Sequence, residues 1–138
     1  MNYFTHESMV YFILRVILGI LFFFQGFDKV FNVGISGVIS FFKEESKHKW
    51  IPPLILTSSA YITSFIELVG GTLLILGLYK TTTLYLLGLD LLLVTAAFSY
   101  LKPMWDMQLL FPRLMLLSAL LIFPVEWDIF SLDHLLQY

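Results

Sequence analysis

The sequence predicts an all-α integral membrane protein, an antiparallel four-helix bundle with a short interfacial helix between its first and second spans. Three observations carry that prediction. Hydrophobic residues make up 59% of the 138 residues and charged ones only 13%, too little polar surface to cover a soluble core so rich in Leu and Phe. Four apolar stretches, about 9–31, 54–78, 82–101 and 107–125, approach the length that crosses ~30 Å of hydrocarbon. The link Tyr79-Lys80-Thr81 is so short that the spans on either side of it must be antiparallel neighbours. At this length the chain is a single domain, residues 1–138.

The first span, Met9 to Phe31, is ~35 Å long at 1.5 Å per residue, too long for the apolar core of a signal peptide. No Lys or Arg precedes it and no small-x-small cleavage site follows it, so it is expected to persist as a transmembrane helix. Asn32, Gly34 and Gly37 then break the pattern. Ile35, Val38, Ile39 and Phe42 recur at helical spacing ahead of Lys43, Glu44, Glu45, Lys47 and Lys49, the pattern of an amphipathic piece lying in the interface. Pro52 and Pro53 suit the first turn of the second span. Lys102 and Pro103 close the third. The purely apolar part of the fourth, Leu114 to Phe123, is short. Starting it near Met107 restores a spanning length at the cost of taking Pro112 and Arg113 into the membrane. After Pro124 the chain returns to water. Trp127, Phe130, Leu132, Leu135 and Leu136 suggest a last interfacial piece, with Ser131 able to cap it.

Lys43, Lys47 and Lys49 lie between the first two spans, with Lys29 and Lys102 on the same side. The opposite side has Lys80 and the acidic Glu7, Glu126, Asp128 and Asp133. The positive-inside rule therefore places both termini outside the cytoplasm. A net charge of -2 argues against a nucleic-acid partner. The absence of cysteine excludes disulfide exchange and thiolate-bound clusters in this chain alone. His6, His48 and His134 have no helical partner at ligand spacing and are expected to be solvated, so neither a metal nor a haem is expected.

Each span carries an ionisable residue, and a charge at a helix centre costs on the order of 2.5–3.5 kcal/mol, which makes such residues the best clue to purpose. On a 100° wheel Arg15 shares its arc with Gly19, Phe22, Gly26 and Lys29; Glu67 shares one with Ala60, Thr63, Ser64, Gly70 and Gly71. Asp90 lies with Thr83, Leu86, Leu87, Val94 and Ala97. Small residues of this kind allow close helix approach. Counted from the span ends on the side of the termini, Arg15 lies ~9 Å deep, Asp90 ~12 Å and Glu67 ~16 Å. Two polar layers are expected, one of Arg15, Glu67 and Asp90, the other of Lys29, Arg113 and the nearby Asp28 and Asp106. The surplus carboxylate of the first layer is the natural place to carry a proton. The plainer alternatives are polar glue that fixes helix pairing for Arg15 and Glu67, and snorkelling to the interface for Asp28 and Lys29.

The residues that carry these charges also carry a likeness. Arg15-x3-Gly19, then Gly26-x2-Lys29-x-Phe31, then Glu67-x2-Gly70-Gly71 with Gly77-Leu78, resembles the DoxX family of small four-helix bacterial membrane proteins. Trp127-x3-Ser131-Leu132-Asp133 is similar to that family's closing segment, so the likeness runs over about residues 10–136. The resemblance implies a place in the bacterial plasma membrane and a link to redox work, as a subunit associated with thiosulfate:quinone oxidoreduction and with thiol and oxidative-stress systems. Arg15, Gly26, Lys29 and Glu67 correspond to its motif positions. Two features depart from it: Pro124-Val125-Glu126-Trp127-Asp128 replaces a glycine-rich approach to the tail, and Pro112-Arg113 stands where relatives often have a carboxylate.

Three functions compete. The first is an accessory subunit of a redox assembly that binds a quinone or similar apolar acceptor, with Arg15 or Lys29 on a carbonyl oxygen and Glu67 or Asp90 exchanging the proton. This chain holds no complete catalytic constellation and no haem-ligating histidine pair, so a partner subunit, or further copies of the chain, would complete the assembly. The second is a proton-coupled transporter of a small solute, although the sequence has no inverted repeat and no Gly/Pro-broken helix at mid-membrane. The third is a purely structural assembly subunit, whose signature is that Arg15→Met and Glu67→Met together restore the stability lost in either alone.

Overall fold

The computed structural model describes residues 5–47, 49–101 and 110–137, and among these the secondary structure is entirely helical. Helix α1, His6–Phe27, opens on Thr5, whose hydroxyl accepts from the Ser8 amide at 3.2 Å. It continues into a π-helical turn, Asp28–Asn32. Gly34, at φ 78°, redirects the chain into α2, Ile35–Glu45. Helix α3, Pro53–Leu76, starts at its proline, which costs nothing where no amide partner is due. Gly77 ends it in a left-handed conformation at φ 73°, and Leu78 and Gly77 donate back to the carbonyls of Leu73 and Leu74. Helix α4 is Lys80–Leu101 and α5 is Leu110–Ile122. A 3₁₀ turn, Val125–Trp127, leads to α6, Leu132–Leu136, which Ser131 caps by accepting from the His134 amide at 3.2 Å.

Three of these segments, His6–Asn32, Pro53–Leu76 and Lys80–Leu101, are long and apolar enough to cross a membrane. Their outer faces carry exposed Ile13, Ile17, Ile62, Phe65, Leu89 and Leu92, side chains that lipid solvates and water does not. The described part of α5 is shorter, ~20 Å by helical rise. Residues 107–109 of the expected fourth span lie outside the described residues.

Packing fixes the heights of the charged residues. Helices α1 and α3 run antiparallel at very short range because glycines face backbone. A Cβ on Gly26 would stand 2.3 Å from the Leu68 amide nitrogen, and one on Gly71 2.3 Å from that of Phe23. Gly19 meets Ile75 in the same way, at 2.9 Å from its amide. Helix α4 packs on α3, and α5 packs on both α4 and α1. Leu18, Phe22, Leu74, Leu84, Leu87 and Leu117 fill the core between them.

Candidate ligand-binding site

Two buried groups of charges lie at different heights, and each is best built from its backbone. At the end of the molecule near the termini, Arg15 is fully buried. Its Nε donates to Asp128 Oδ1 at 3.2 Å, Nη1 donates to the Ile75 carbonyl at 3.0 Å and to that of Leu74, and Nη2 donates to the Phe130 carbonyl at 3.0 Å. The second Asp128 oxygen takes Lys80 Nζ at 3.0 Å, and that ammonium lies 5.0 Å from the centre of the Tyr11 ring. The tail continues the clasp. Asp133 accepts from the Tyr79 and Lys80 amides at 2.9 and 3.0 Å, so it caps α4 from a distant part of the chain. Gly77 must be glycine here, since a Cβ would stand 2.6 Å from Ser131 Cβ.

The second group is deeper. Lys29, on the π-helical turn, places Nζ 2.8 and 3.0 Å from the two Glu67 oxygens. Gln25, one turn earlier, donates Nε2 to Glu67 Oε1 at 2.9 Å. Asp90 approaches Glu67 from α4, close enough for the two carboxyl groups to interact. Among the described residues neither Asp90 oxygen receives an N–H or another hydroxyl. Arg113 enters from α5 with its guanidinium 5.9 Å from the centre of the Phe22 ring. Glu67 and Asp90 are both fully buried, while the Lys29 side chain keeps 21% of its surface. Extra residues in a helical turn are frequent at functional sites because they re-aim a side chain, and this one carries Lys29.

Above this group is a cavity of about 990 Å³ between α1, α2, α3, α4 and α5. Its walls are apolar, with Phe24, Phe41, Phe42, Leu91 and Phe98 among them, and its polar lining is Gln25, Asp28, Lys29, Ser59, Thr63, Glu67 and Arg113. A volume in the range of small-molecule sites, apolar but with a few convergent polar groups, is the usual form of a ligand pocket. Two cations, Lys29 and Arg113, and two carboxyl groups, Glu67 and Asp90, meet at this floor. Such a floor can hold a carbonyl-bearing ligand: cations donate to a carbonyl oxygen, a carboxylate takes a proton and a protonated carboxyl group gives one.

The expected layer of Arg15, Glu67 and Asp90 is therefore corrected. Arg15 does not meet Glu67. Gly19 stands beside Ile75, so Arg15, one turn nearer the N-terminus, lies beyond the end of α3, and its backbone is ~18 Å in height from that of Glu67. Glu67 and Asp90 join Lys29 and Arg113 instead, and Lys29 turns inward to Glu67 in place of snorkelling. Asp28 remains at the surface, with Asn32 Nδ2 donating to it. Asp106 lies outside the described residues, as does His48. Gly26 sits where α1 touches α3. Sequence reasoning missed Asp128, Lys80, Asp133 and Gln25. Only Gln25 left a periodic signal, four residues before Lys29 on the same flank.

The DoxX family model matches residues 10–100, which hold Arg15, Gly26, Lys29, Glu67 and Asp90 but neither Arg113 nor the closing segment. No curated protein and no solved structure matches the chain. A family model that spans α1 to α4, on a bundle with three membrane-length helices, makes this chain a membrane protein that belongs to the DoxX family.

Proposed function

We propose that this chain is an accessory subunit of a quinone-linked redox assembly in the bacterial plasma membrane, and that it holds the quinone head in the cavity above Glu67. One observation supports the reading above the others: an apolar chamber of about 990 Å³ ends on Lys29, Gln25, Glu67 and Arg113. In this reading α5 belongs to the fourth crossing of an antiparallel bundle. Helix α2 lies in the cytoplasmic interface, and both termini are outside.

A bound quinone supplies an acceptor for two electrons and two protons. The electrons come from the redox centre of a partner subunit, since this chain's own residues bind and protonate but do not carry electrons. Lys29 and Arg113 hold the carbonyl oxygen by charge-assisted hydrogen bonds. Glu67, at the cavity floor, would pass on both protons in turn, each taken from the one that it shares with Asp90 and replaced from solvent after each transfer. Phe24, Phe41 and Phe98 exclude water and cover the ring.

The test is a thermal-shift titration of the purified protein with a short-chain benzoquinone. Wild type gains stability with ligand, as mass action requires, and Glu67→Gln and Lys29→Met lose the gain. Equal shifts in wild type and both variants would overturn the reading. Orientation is checked separately. The chain has no cysteine, so Lys47→Cys and Gln137→Cys can each be exposed from outside to an impermeant thiol reagent. Only Gln137→Cys is expected to react.

A further inference from the structure

We infer that the cavity opens sideways into the bilayer over α1, and that its occupant lies head inward at Glu67 with an apolar tail leaving past Leu21 and Phe24. The ligand's route and lipid-like class rest on the quinone-site reading. Gln25, Leu21 and Phe24 all line the cavity. Counted from fully buried Phe22 at 100° per residue, they stand ~60°, ~100° and ~160° round α1 in one sense. The lining therefore runs from the core side of the helix to its opposite face, where Phe24 is 57% exposed. By helical rise Phe24 lies ~12 Å inside the end of the membrane-length segment His6–Asn32. The surface onto which the cavity opens there is hydrocarbon and not water.

The distribution of polarity sets the ligand's direction. Glu67 and Thr63 are buried, and Gln25, Lys29, Ser59 and Arg113 are half-buried. Among the described residues, the exposed part of the lining is apolar except for Asp28. At the end remote from the termini, α2 bridges the cavity from the π-helical turn to α4. Val38, buried, is part of the lining, and the Phe42 ring stands 6.4 Å from that of Phe98 on α4. Lys49, beyond α2, donates to the Tyr100 carbonyl, with its ammonium 4.8 Å from the centre of the Tyr100 ring, which ties this bridge to the end of α4. The volume of about 990 Å³ is at the upper end of the range for whole drug-sized ligands, more than one carbonyl-bearing ring fills. A polar floor, an apolar rim at hydrocarbon depth and this extra room suit an amphiphile, a ring carried on a prenyl or alkyl chain.

In the experiment, purified wild-type protein in lipid nanodiscs is irradiated with a benzoquinone whose alkyl chain ends in a diazirine, and labelled residues are mapped by peptide mass spectrometry. A diazirine tail also labels residues that merely face lipid, so the measure is the labelling that a short-chain benzoquinone removes. At about ten times its dissociation constant this competitor should lower labelling of Leu21 and Phe24 roughly tenfold, as mass action requires. Labelling of Ile62 and Phe65, exposed on the outer face of α3, should persist. Competed labelling confined to Val33, Phe41 or Ile55 would put the tail's exit at the interface, which overturns the sideways route and leaves the cavity reading intact. Labelling of Phe24 that the competitor does not reduce does the same, by assigning that surface to bulk lipid. So does a competitor that raises thermal stability while no labelling is competed, since the chain then holds the head and not the tail. A short-chain quinone that neither stabilises nor competes overturns the cavity reading and this inference together.

Discussion

Arg15 and Lys29 sit on the same helix face and each reaches a buried carboxylate, but their surroundings differ in how completely they are used. The Arg15 guanidinium meets three carbonyls and Asp128, whose other oxygen takes Lys80. Every one of these partners belongs to a chain end or helix end that would otherwise be loose. Around Lys29, by contrast, both Asp90 oxygens and the Gln25 amide oxygen lack a donor among the described residues, and a cavity opens beside the group. In lipid an unpaired buried polar group is expensive. A finished network stabilises a fold, while an unfinished one marks where something else is to bind. The difference separates a structural clasp from a candidate site without appeal to residue type, since both use Arg or Lys with Asp or Glu.

The largest expected effect breaks the clasp. Arg15→Met leaves Asp128 with one cation and takes a donor from three carbonyls, and should cost about 3–5 kcal/mol, the usual penalty for splitting a buried pair. Lys29→Met should cost markedly less, because Lys29 is 21% exposed and Glu67 keeps Gln25. Unfolding in mixed micelles measures both. Double-mutant cycles sharpen the contrast. Arg15 and Asp128 should couple strongly, whereas Arg15 and Glu67 should be additive within about 0.5 kcal/mol, as distant sites are. Comparable losses for Arg15→Met and Lys29→Met would dissolve the distinction.

Next in size is the contact that sets the two heights. Gly26→Ala puts a methyl 2.3 Å from the Leu68 amide nitrogen and 2.7 Å from its Cα, against backbone that cannot give way without parting α1 from α3. Overpacking of this kind costs about 1–3 kcal/mol, and the movement also draws Lys29 from Glu67. Gly88→Ala is the control. Its Cβ would lie 3.7 Å from Leu117 Cδ2, an ordinary contact. It should be neutral or stabilising by up to about 1 kcal/mol through helix propensity. The same measurement reads both.

These glycines also explain what the sequence could and could not disclose. Hydropathy placed the first three spans, and the 3.6 period placed Arg15, Glu67 and Asp90 on inward faces, because both signals are local. Periodicity gives the azimuth of a side chain but not its height relative to another helix. Height depends on the stagger at Gly19, Gly26 and Gly71, which moves Arg15 past the end of α3. Assuming level span ends joined Arg15 to Glu67 and separated Glu67 from Lys29. Asp128 was illegible for another reason: it follows a 3₁₀ turn, where no repeat exists to say which way a carboxylate points.

A smaller effect is expected at Asp133. Its carboxylate caps two α4 amides across more than fifty residues of sequence. Asp133→Ala should cost about 1 kcal/mol, the range of a lost helix cap, with ligand binding unchanged because the cap lies at the clasp and not at the cavity. Loss of quinone binding in this variant would mean that the two regions are coupled.

The smallest expected change in stability falls at the most suggestive residue. Glu67→Gln keeps the shape of the side chain. Its amide oxygen still accepts from Gln25, and its amide nitrogen gains Asp90 as an acceptor. Lys29, already partly exposed, can turn toward the interface. The net loss should be about 1 kcal/mol or less, while the thermal shift produced by added quinone disappears. If Glu67 served only to pin helices, the order would reverse: a loss of about 3–5 kcal/mol, as expected for Arg15→Met, with no ligand effect to remove. The pair of measurements thus asks of one residue the question posed by the two regions, whether a buried charge is there for the fold or for what enters it.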